Sequence, residues 1–524
     1  MPALNLRRRA LLKGGLASSA LLAARSRALA APHSPVFTLG VASGYPVPDG
    51  VSLWTRLAPE PLKPDGGMSE ASTTVHWEVA RGADFSSLLA QGSVRTHASA
   101  AHSVHVDVRD LPSDTPLCYR FRTGTHLSPT GHTRTAPAAD AKVTHLRLAV
   151  ASCQHYEHDY FSAYRDMRAQ APDLVLHLGD YLYEGSWGRR KVRPHPTPDP
   201  VDLTGYRLRH ASYRLDPDLA AMHAAAPWVM MWDDHEVEND YARDRSRYHA
   251  DAARFMARRR AAYQAWYEHM PVPASMAPQT EGIPIYTSLA FGQLAQLTLL
   301  DTRQYRSYPA CSAGSPAPGW SCAPTQTPTM LGAAQAAWVE GVLRQTRQPW
   351  QIIAQGLFMA RCDALPGPEE KLFPQNWDGY PAAREALFAA LAQNPQRTAL
   401  VLSGDVHAFW VNELWRDYAD RTRGVLGAEV VTSSLSAEGP DEQLIARVLA
   451  DPDAPWHRFA TARHRGYARV DVYPTHAAIE LRGLTNPGHP ASPCNTLWTG
   501  RLEQEGARLH VTSGNRDHQD APAA

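Results

Sequence analysis

Eight residues of this 524-residue chain carry ligand or proton-transfer chemistry at the ends of short apolar runs. Leu146 to Ala151 closes on Ser152 and Cys153. Leu174 to Leu178 closes on Gly179 and Asp180, with Tyr183 next. Trp228 to Trp232 closes on Asp233, Asp234 and His235, with Asn239 shortly after. Leu297 to Leu300 closes on Asp301 and Arg303, and Ala399 to Leu402 on Gly404, Asp405 and His407. One such run is unremarkable. Five runs, each ending on a ligand-type or charged residue, argue for a single polynuclear site.

The donor set narrows the metals. A thiolate with a phenolate (Cys153, Tyr183) is an odd pair for zinc or magnesium alone and suits a ferric ion, which favours anionic ligands. The oxygen donors Asp234, Asn239 and Asp405 suit calcium, magnesium or manganese. A two-metal site needs a bridging carboxylate, and Asp180 is the natural one. Two adjacent cations lower the pKa of a water and hold the oxygens of an in-line displacement at phosphorus. His235 is then placed to protonate the leaving alkoxide as a general acid. Each residue alone has a plainer reading. Cys153 reads as a small buried hydrophobe, Tyr183 as packing, Asp233 or Asp234 as a helix cap and His407 as a core histidine. Only their joint position at strand ends favours chemistry.

The elements that must position these residues form an α/β pattern. Residues 145–184 read as strand, helix and strand, the helical part marked by Phe161, Tyr164, Met167 and Arg168 at three- and four-residue spacing. In open α/β sheets, ligands collect beyond the carboxyl ends of the strands. Residues 36–136 hold short alternating strands punctuated by Gly, Pro and Asp, the pattern of an Ig- or fibronectin-like β-sandwich; an antiparallel extension of the main sheet is the alternative. Residues 136–142 read as an Ala/Pro linker, and residues 143–508 as the catalytic α/β domain. The Arg-, Pro- and His-rich insert 185–218 is too polar for core, and reads as a lid or a solvated loop. Helices are expected over 251–269, with Arg258 to Arg260 on a solvated face, over 331–343 and over 381–391. Residues 467–471 and 477–482 alternate as a closing antiparallel hairpin, and a frayed tail is expected after Arg508.

Composition excludes some classes. Lys plus Arg and Asp plus Glu are 52 each, so no basic excess supports stable nucleic-acid binding. Arg8, Arg9 and Lys13 ahead of a weakly apolar run, with Ala28-Leu29-Ala30 as a small-residue cleavage site, resemble a twin-arginine export signal over residues 1–30. A basic N-terminal membrane anchor is the other reading. The chain is therefore expected to meet the twin-arginine export machinery and to be periplasmic or secreted, as a monomer. No later stretch is long and apolar enough to span a bilayer. Of the six cysteines, Cys311 and Cys322 flank a Gly/Pro/Ser-rich loop and are the best disulfide candidates.

The chain resembles the PhoD-like alkaline phosphatases and phosphodiesterases of the calcineurin-like metallophosphoesterase superfamily. The resemblance rests on Ala151 to Gln154, His177 to Glu184, Trp232 to Asn239, Leu300 to Tyr305 and Ser403 to His407, and on Phe37 to Gly44 and Leu53 to Arg56 in the β-rich part. It implies a two-sheet α/β sandwich, export, and hydrolysis of phosphate mono- and diesters with a ferric ion and calcium; magnesium, manganese or zinc are possible substitutes. It implies Cys153, Asp180, Tyr183 and His407 around iron, Asp180 bridging, and Asn239, Asp405 and Asp234 on calcium. It places His235 at the phosphate or leaving group, and Arg303 in support behind the ligands. Cys153 stands where the wider superfamily has Asp-x-His, which argues against a plain zinc or manganese pair. Two rival readings remain: a hydrolase with Cys153 as nucleophile, and a non-catalytic exported binding protein. A serine hydrolase is not expected, because no Gly-x-Ser-x-Gly elbow occurs.

Overall fold

The computed structural model describes residues 35–189, 191–279, 282–308, 327–364 and 371–511. The export segment 1–30 and the pair Cys311 and Cys322 lie outside the described residues. Among those described, strands assemble into a ten-stranded, a seven-stranded and a five-stranded sheet. No described helix is long and apolar enough to cross a membrane.

Two of these sheets position the site. The strands Leu146–Ala151, Leu174–His177 and Pro227–Met230 run parallel side by side in the ten-stranded sheet. The strands Ala295–Leu299, Trp350–Ala354 and Thr398–Ser403 do the same in the seven-stranded sheet. The period-2 alternation of side chains sorts each strand of the second sheet between two cores. Leu297, Ile352, Leu400 and Leu402 enter the main core with Leu148, Val150 and Leu176. Ile353, Val401 and Trp410 face the opposite way, under Val339 and Leu343 of one helix and Leu387 and Leu391 of another. The result is a two-sheet sandwich with helices outside. Its parallel strands read as unbroken apolar runs because both faces are covered.

The hairpin expected at the close of the chain pairs Gly466–Val472 with His476–Leu484, and the first of these lies antiparallel to Leu146–Ala151. The helices Ala252–His269, Gly332–Gln345 and Pro381–Ala392 lie where amphipathic spacing put them. The tail differs from expectation: Leu509–Val511 pairs with Cys494–Glu503 instead of fraying at once.

The β-rich N-terminal part is a sandwich that shares a sheet with the rest. Val41, Leu53, Val75, Val79, Val104 and Phe121 fill a core of their own. One layer is the five-stranded sheet. The other layer, Val41–Val47, Gly50–Arg56 and Ser103–Val108, continues the ten-stranded sheet, because Val41–Val47 pairs parallel with Pro227–Met230. The segment thus joins the main sheet through a parallel pair, and not as the antiparallel extension that was the alternative expectation.

The insert after Glu184 departs from its expectation. Leu203–Arg214 is a helix, N-capped by the Asp202 carboxylate on Gly205 N–H. Tyr206, Arg209, His210, Tyr213 and Arg214 on it are fully buried. Arg209 is tolerated there because its donors are satisfied and its charge is paired: Nη1 donates to Tyr183 O at 2.6 Å, Nη2 to Pro198 O at 3.0 Å, and Nη2 lies 3.3 Å from the Asp199 carboxylate. A composition-based reading counts such arginines as surface. The same correction applies to Arg258 and Arg259. Arg258 donates to Tyr206 Oη at 2.8 Å and pairs with Glu238, while Arg259 is buried and donates to the Arg243 carbonyl.

Candidate metal centre

The strand-end residues converge although they come from two sheets. Ligand atoms of Cys153, Asp180 and His407 lie within 4.8 Å of one another, as do those of Asp180, Asp234 and His235, and those of Asp233, Asp234 and Asp405. Asp180 belongs to two of these groups and Asp234 to two, so the clusters form one continuous chain. Tyr183 joins the first: its hydroxyl lies 3.0 Å from Asp180 Oδ2 and 2.9 Å from His407 Nε2.

The backbone is distorted where it delivers these donors. Cys153, Asp180, Asp405 and His407 all have positive φ, between 53° and 66°. Left-handed backbone costs a residue with a Cβ about 1–2 kcal/mol, and such strain gathers where a site is over-determined. It turns each chain sharply at the strand end, so that consecutive side chains point inward. Gly179 is needed for a further reason. Its φ is +111°, and a Cβ there would meet Asp233 N at 2.4 Å, at the contact between two ligand turns.

Buried carboxylates and carbonyls brace the turns. Glu236 accepts from the backbone N–H groups of Asp180 at 3.0 Å, Tyr181 at 2.6 Å and Asp233 at 2.8 Å, and so pins two turns together. Glu184 accepts from His235 Nδ1 at 2.7 Å and from Asn239 N at 2.9 Å. His407 Nδ1–H donates to Glu438 O at 2.7 Å, which leaves Nε2 with a lone pair facing Tyr183 and Asp180. Arg303 is fully buried. It pairs with both oxygens of Asp233, donates to Asp405 Oδ1 at 2.8 Å and lies 3.5 Å from Asp234 Oδ2. Asn239 stands at the rim, its side-chain amide donating to Asp240 and to Tyr248 Oη.

The electrostatics are those of acids crowded without enough positive charge. Burial, then the nearby Asp180, pushes the Cys153 thiol and the Tyr183 phenol well up. Burial and the neighbouring aspartates raise Asp180, although His235 pulls it down. Burial outweighs Arg303 at Asp233, which rises to about 8, and raises Asp405 too. Burial brings His407 down to about 3, so its ring is neutral, the form that binds a metal. His235 goes the other way. Burial opposes its charge, but Glu184, Asp180 and Asp234 hold it well above the usual imidazole range. Asp234 Oδ1 is buried with no hydrogen-bond partner. A cation among these donors would supply the missing charge and the missing partner, so the residues present fit a metal centre.

Of the residues singled out from sequence, the structure gathers Cys153, Asp180, Tyr183, Asp234, His235, Asp405 and His407 into contact, with Arg303 behind them and Asn239 at the edge. Sequence reasoning missed Glu184, Glu236 and Glu438 as braces and underused Asp233. Glu184 and Glu236 lay inside the quoted motifs, three residues or fewer from named ligands. Nothing local marks a carboxylate that accepts backbone N–H groups, and nothing marks a Glu438 carbonyl.

The class this arrangement defines is a phosphatase built on a two-sheet α/β sandwich with an appended β-sandwich. The profile of the PhoD-like phosphatase family matches residues 148–481, and that of the PhoD-like phosphatase N-terminal domain matches residues 23–137. Alkaline phosphatase D of Bacillus subtilis (strain 168) is 40% identical over 477 residues, covering 88% of this chain and 80% of that protein. A solved structure of PhoD superposes with a TM-score of 0.87 at 38% identity, covering 93% of this chain and 94% of the other. The chain belongs to the PhoD-like phosphatase family; it is a phosphatase and acts on phosphate esters. That membership removes the reading as a non-catalytic binding protein.

Proposed function

We propose that this phosphatase is an exported, metal-dependent enzyme that hydrolyses both phosphate mono- and diesters, with Cys153, Asp180, Tyr183 and His407 holding a ferric ion. Asn239, Asp405 and Asp234 would hold calcium, and Asp180 would serve both ions. One observation carries the proposal: four donor residues from three strand ends sit in left-handed backbone conformations, with overlapping groups of ligand atoms inside 4.8 Å. When bound, the cations supply a water of lowered pKa and neutralise charge on the phosphoryl oxygens.

The chain's own residues do the rest. Glu184 orients the His235 ring through Nδ1 and keeps it protonated, so that Nε2–H is available for a departing ester oxygen. The Glu438 carbonyl fixes the His407 tautomer. Arg303 holds Asp233 and Asp405 in place by hydrogen bonds to both. A cysteine-nucleophile mechanism is disfavoured by Cys153 itself, which is 1% exposed and lies among the ligand atoms of Asp180 and His407. The twin-arginine pattern supports export.

The test is parallel kinetics on p-nitrophenyl phosphate and bis(p-nitrophenyl) phosphate with elemental analysis of the same preparation. Turnover of both esters, with iron and calcium each near one or more per chain, supports the proposal. Turnover of the monoester alone, or full activity with zinc as the sole metal, overturns it.

A further inference from the structure

Trp187 stands out at the mouth of the metal centre. It is 37% exposed, and among the described residues no other tryptophan is as open to solvent. Its indole is stacked on the His407 ring, centroids 6.0 Å apart and planes 6° from parallel, and lies 6.0 Å from the Tyr183 ring. A large apolar side chain left in water beside converging polar groups marks a binding surface.

The loop that carries Trp187 is fixed by its backbone. His158 Nε2–H donates to the Trp187 carbonyl at 2.6 Å, and His158 Nδ1 accepts from Glu438 N at 3.0 Å. The carbonyl of the same Glu438 orients His407. The histidine His155 backs His158, the two rings stacked at 3.7 Å and 5°. Trp187 is therefore held against the ligand cluster by main-chain bonds, by the His407 ring on one face and by edge contacts with the His158 and His155 rings at 4.5 and 5.3 Å, and the part of it left in solvent is open to another partner. Nothing else in the mechanism uses that exposed part.

On the reading given under Proposed function, we propose that Trp187 is a specificity-determining residue, its indole stacking the planar ring of an aryl or heteroaryl phosphate ester whose phosphorus sits at the Cys153, Asp180, Tyr183 and His407 cluster. The residue touches the organic arm of the substrate and leaves the reacting atoms alone. Stacking of a planar ring on an aromatic side chain changes affinity by about tenfold, so the effect falls on KM and on discrimination between esters.

The experiment compares p-nitrophenyl phosphate with glycerol 1-phosphate in wild type, Trp187→Ala and Trp187→Phe. The expected result is that the aryl-to-alkyl ratio of kcat/KM drops about tenfold in Trp187→Ala, chiefly through KM, and is largely kept in Trp187→Phe. Should the alanine variant fold poorly, the phenylalanine variant and the wild type decide: wild type binds phenylphosphonate several-fold more tightly than methylphosphonate. An equal loss on both esters in Trp187→Ala, or equal inhibition by the two phosphonates, overturns the proposal. Wild type that hydrolyses neither ester contradicts the underlying function instead, so the two failures are distinct.

Discussion

His235 and Glu184 show how one pair of side chains sets a pH profile. The His235 ring is 2.7 Å from a buried glutamate and is held protonated far above the ordinary imidazole range. A general acid must carry its proton, so activity is kept up to the folded pKa and lost as pH rises through it. Glu184→Gln removes the charge that raises this value. Its alkaline limb is expected to move to lower pH, with kcat down about 10²-fold; an unchanged limb in a pH–rate profile would show that another group supplies the proton. Arg303 makes a second case. Its charge is buried and spread over Asp233, Asp405 and Asp234. Breaking such a cluster on one side strands the others, so Arg303→Leu is expected to cost about 3–5 kcal/mol in denaturant unfolding. A loss below about 1 kcal/mol in that measurement would show the carboxylates to be satisfied without it. The donors themselves were legible in sequence because each ends an apolar run. The braces were not, because Glu236 acts through backbone N–H groups that any sequence has.

The strand-end turn is the element that matters. Leu174–His177 brings Gly179, Asp180 and Tyr183 round in one tight bend, and the bend depends on Gly179 lying against Asp233 N. Gly179→Ala combines a positive-φ penalty with a steric clash against backbone. It is expected to destabilise by about 2 kcal/mol or more, lowering the thermal midpoint, and to lose bound metal. A variant with wild-type melting and metal content would mean the turn has room to shift. Periodicity made these turns readable, since strands closed on both faces are apolar without a break. The helix Leu203–Arg214 was not readable by the same rule. Its buried face carries Arg209, which donates to the Tyr183 carbonyl, and His210, which stacks on the His269 ring, and polarity alone assigns such residues to solvent.

At the level of the whole molecule, the β-rich part is built into the catalytic sheet. Val41–Val47 pairs with Pro227–Met230, the strand that leads to Asp234 and His235. Arg56 reaches the helix Ala252–His269 through His269, and Trp54 Nε1 donates to Glu268 O at 3.0 Å. Removing residues 1–137 would uncover the edge of the strand Pro227–Met230. That truncation is expected to be insoluble or inactive; a soluble, fully active 138–524 fragment would show the sharing to be dispensable. Sequence alone could not choose between sandwich and sheet extension, because edge strands and sandwich strands share one alternating pattern.

The most direct measurement is the visible absorption of purified, metal-replete enzyme, recorded with its turnover before and after chelation. A phenolate and a thiolate on a ferric ion absorb in the visible range, so colour and activity are expected to disappear together on chelation. Tyr183→Phe and Cys153→Ala should each lose the band. Colourless wild-type protein that keeps full turnover in chelator would contradict the claim that these strand ends converge to hold cations at a phosphate ester.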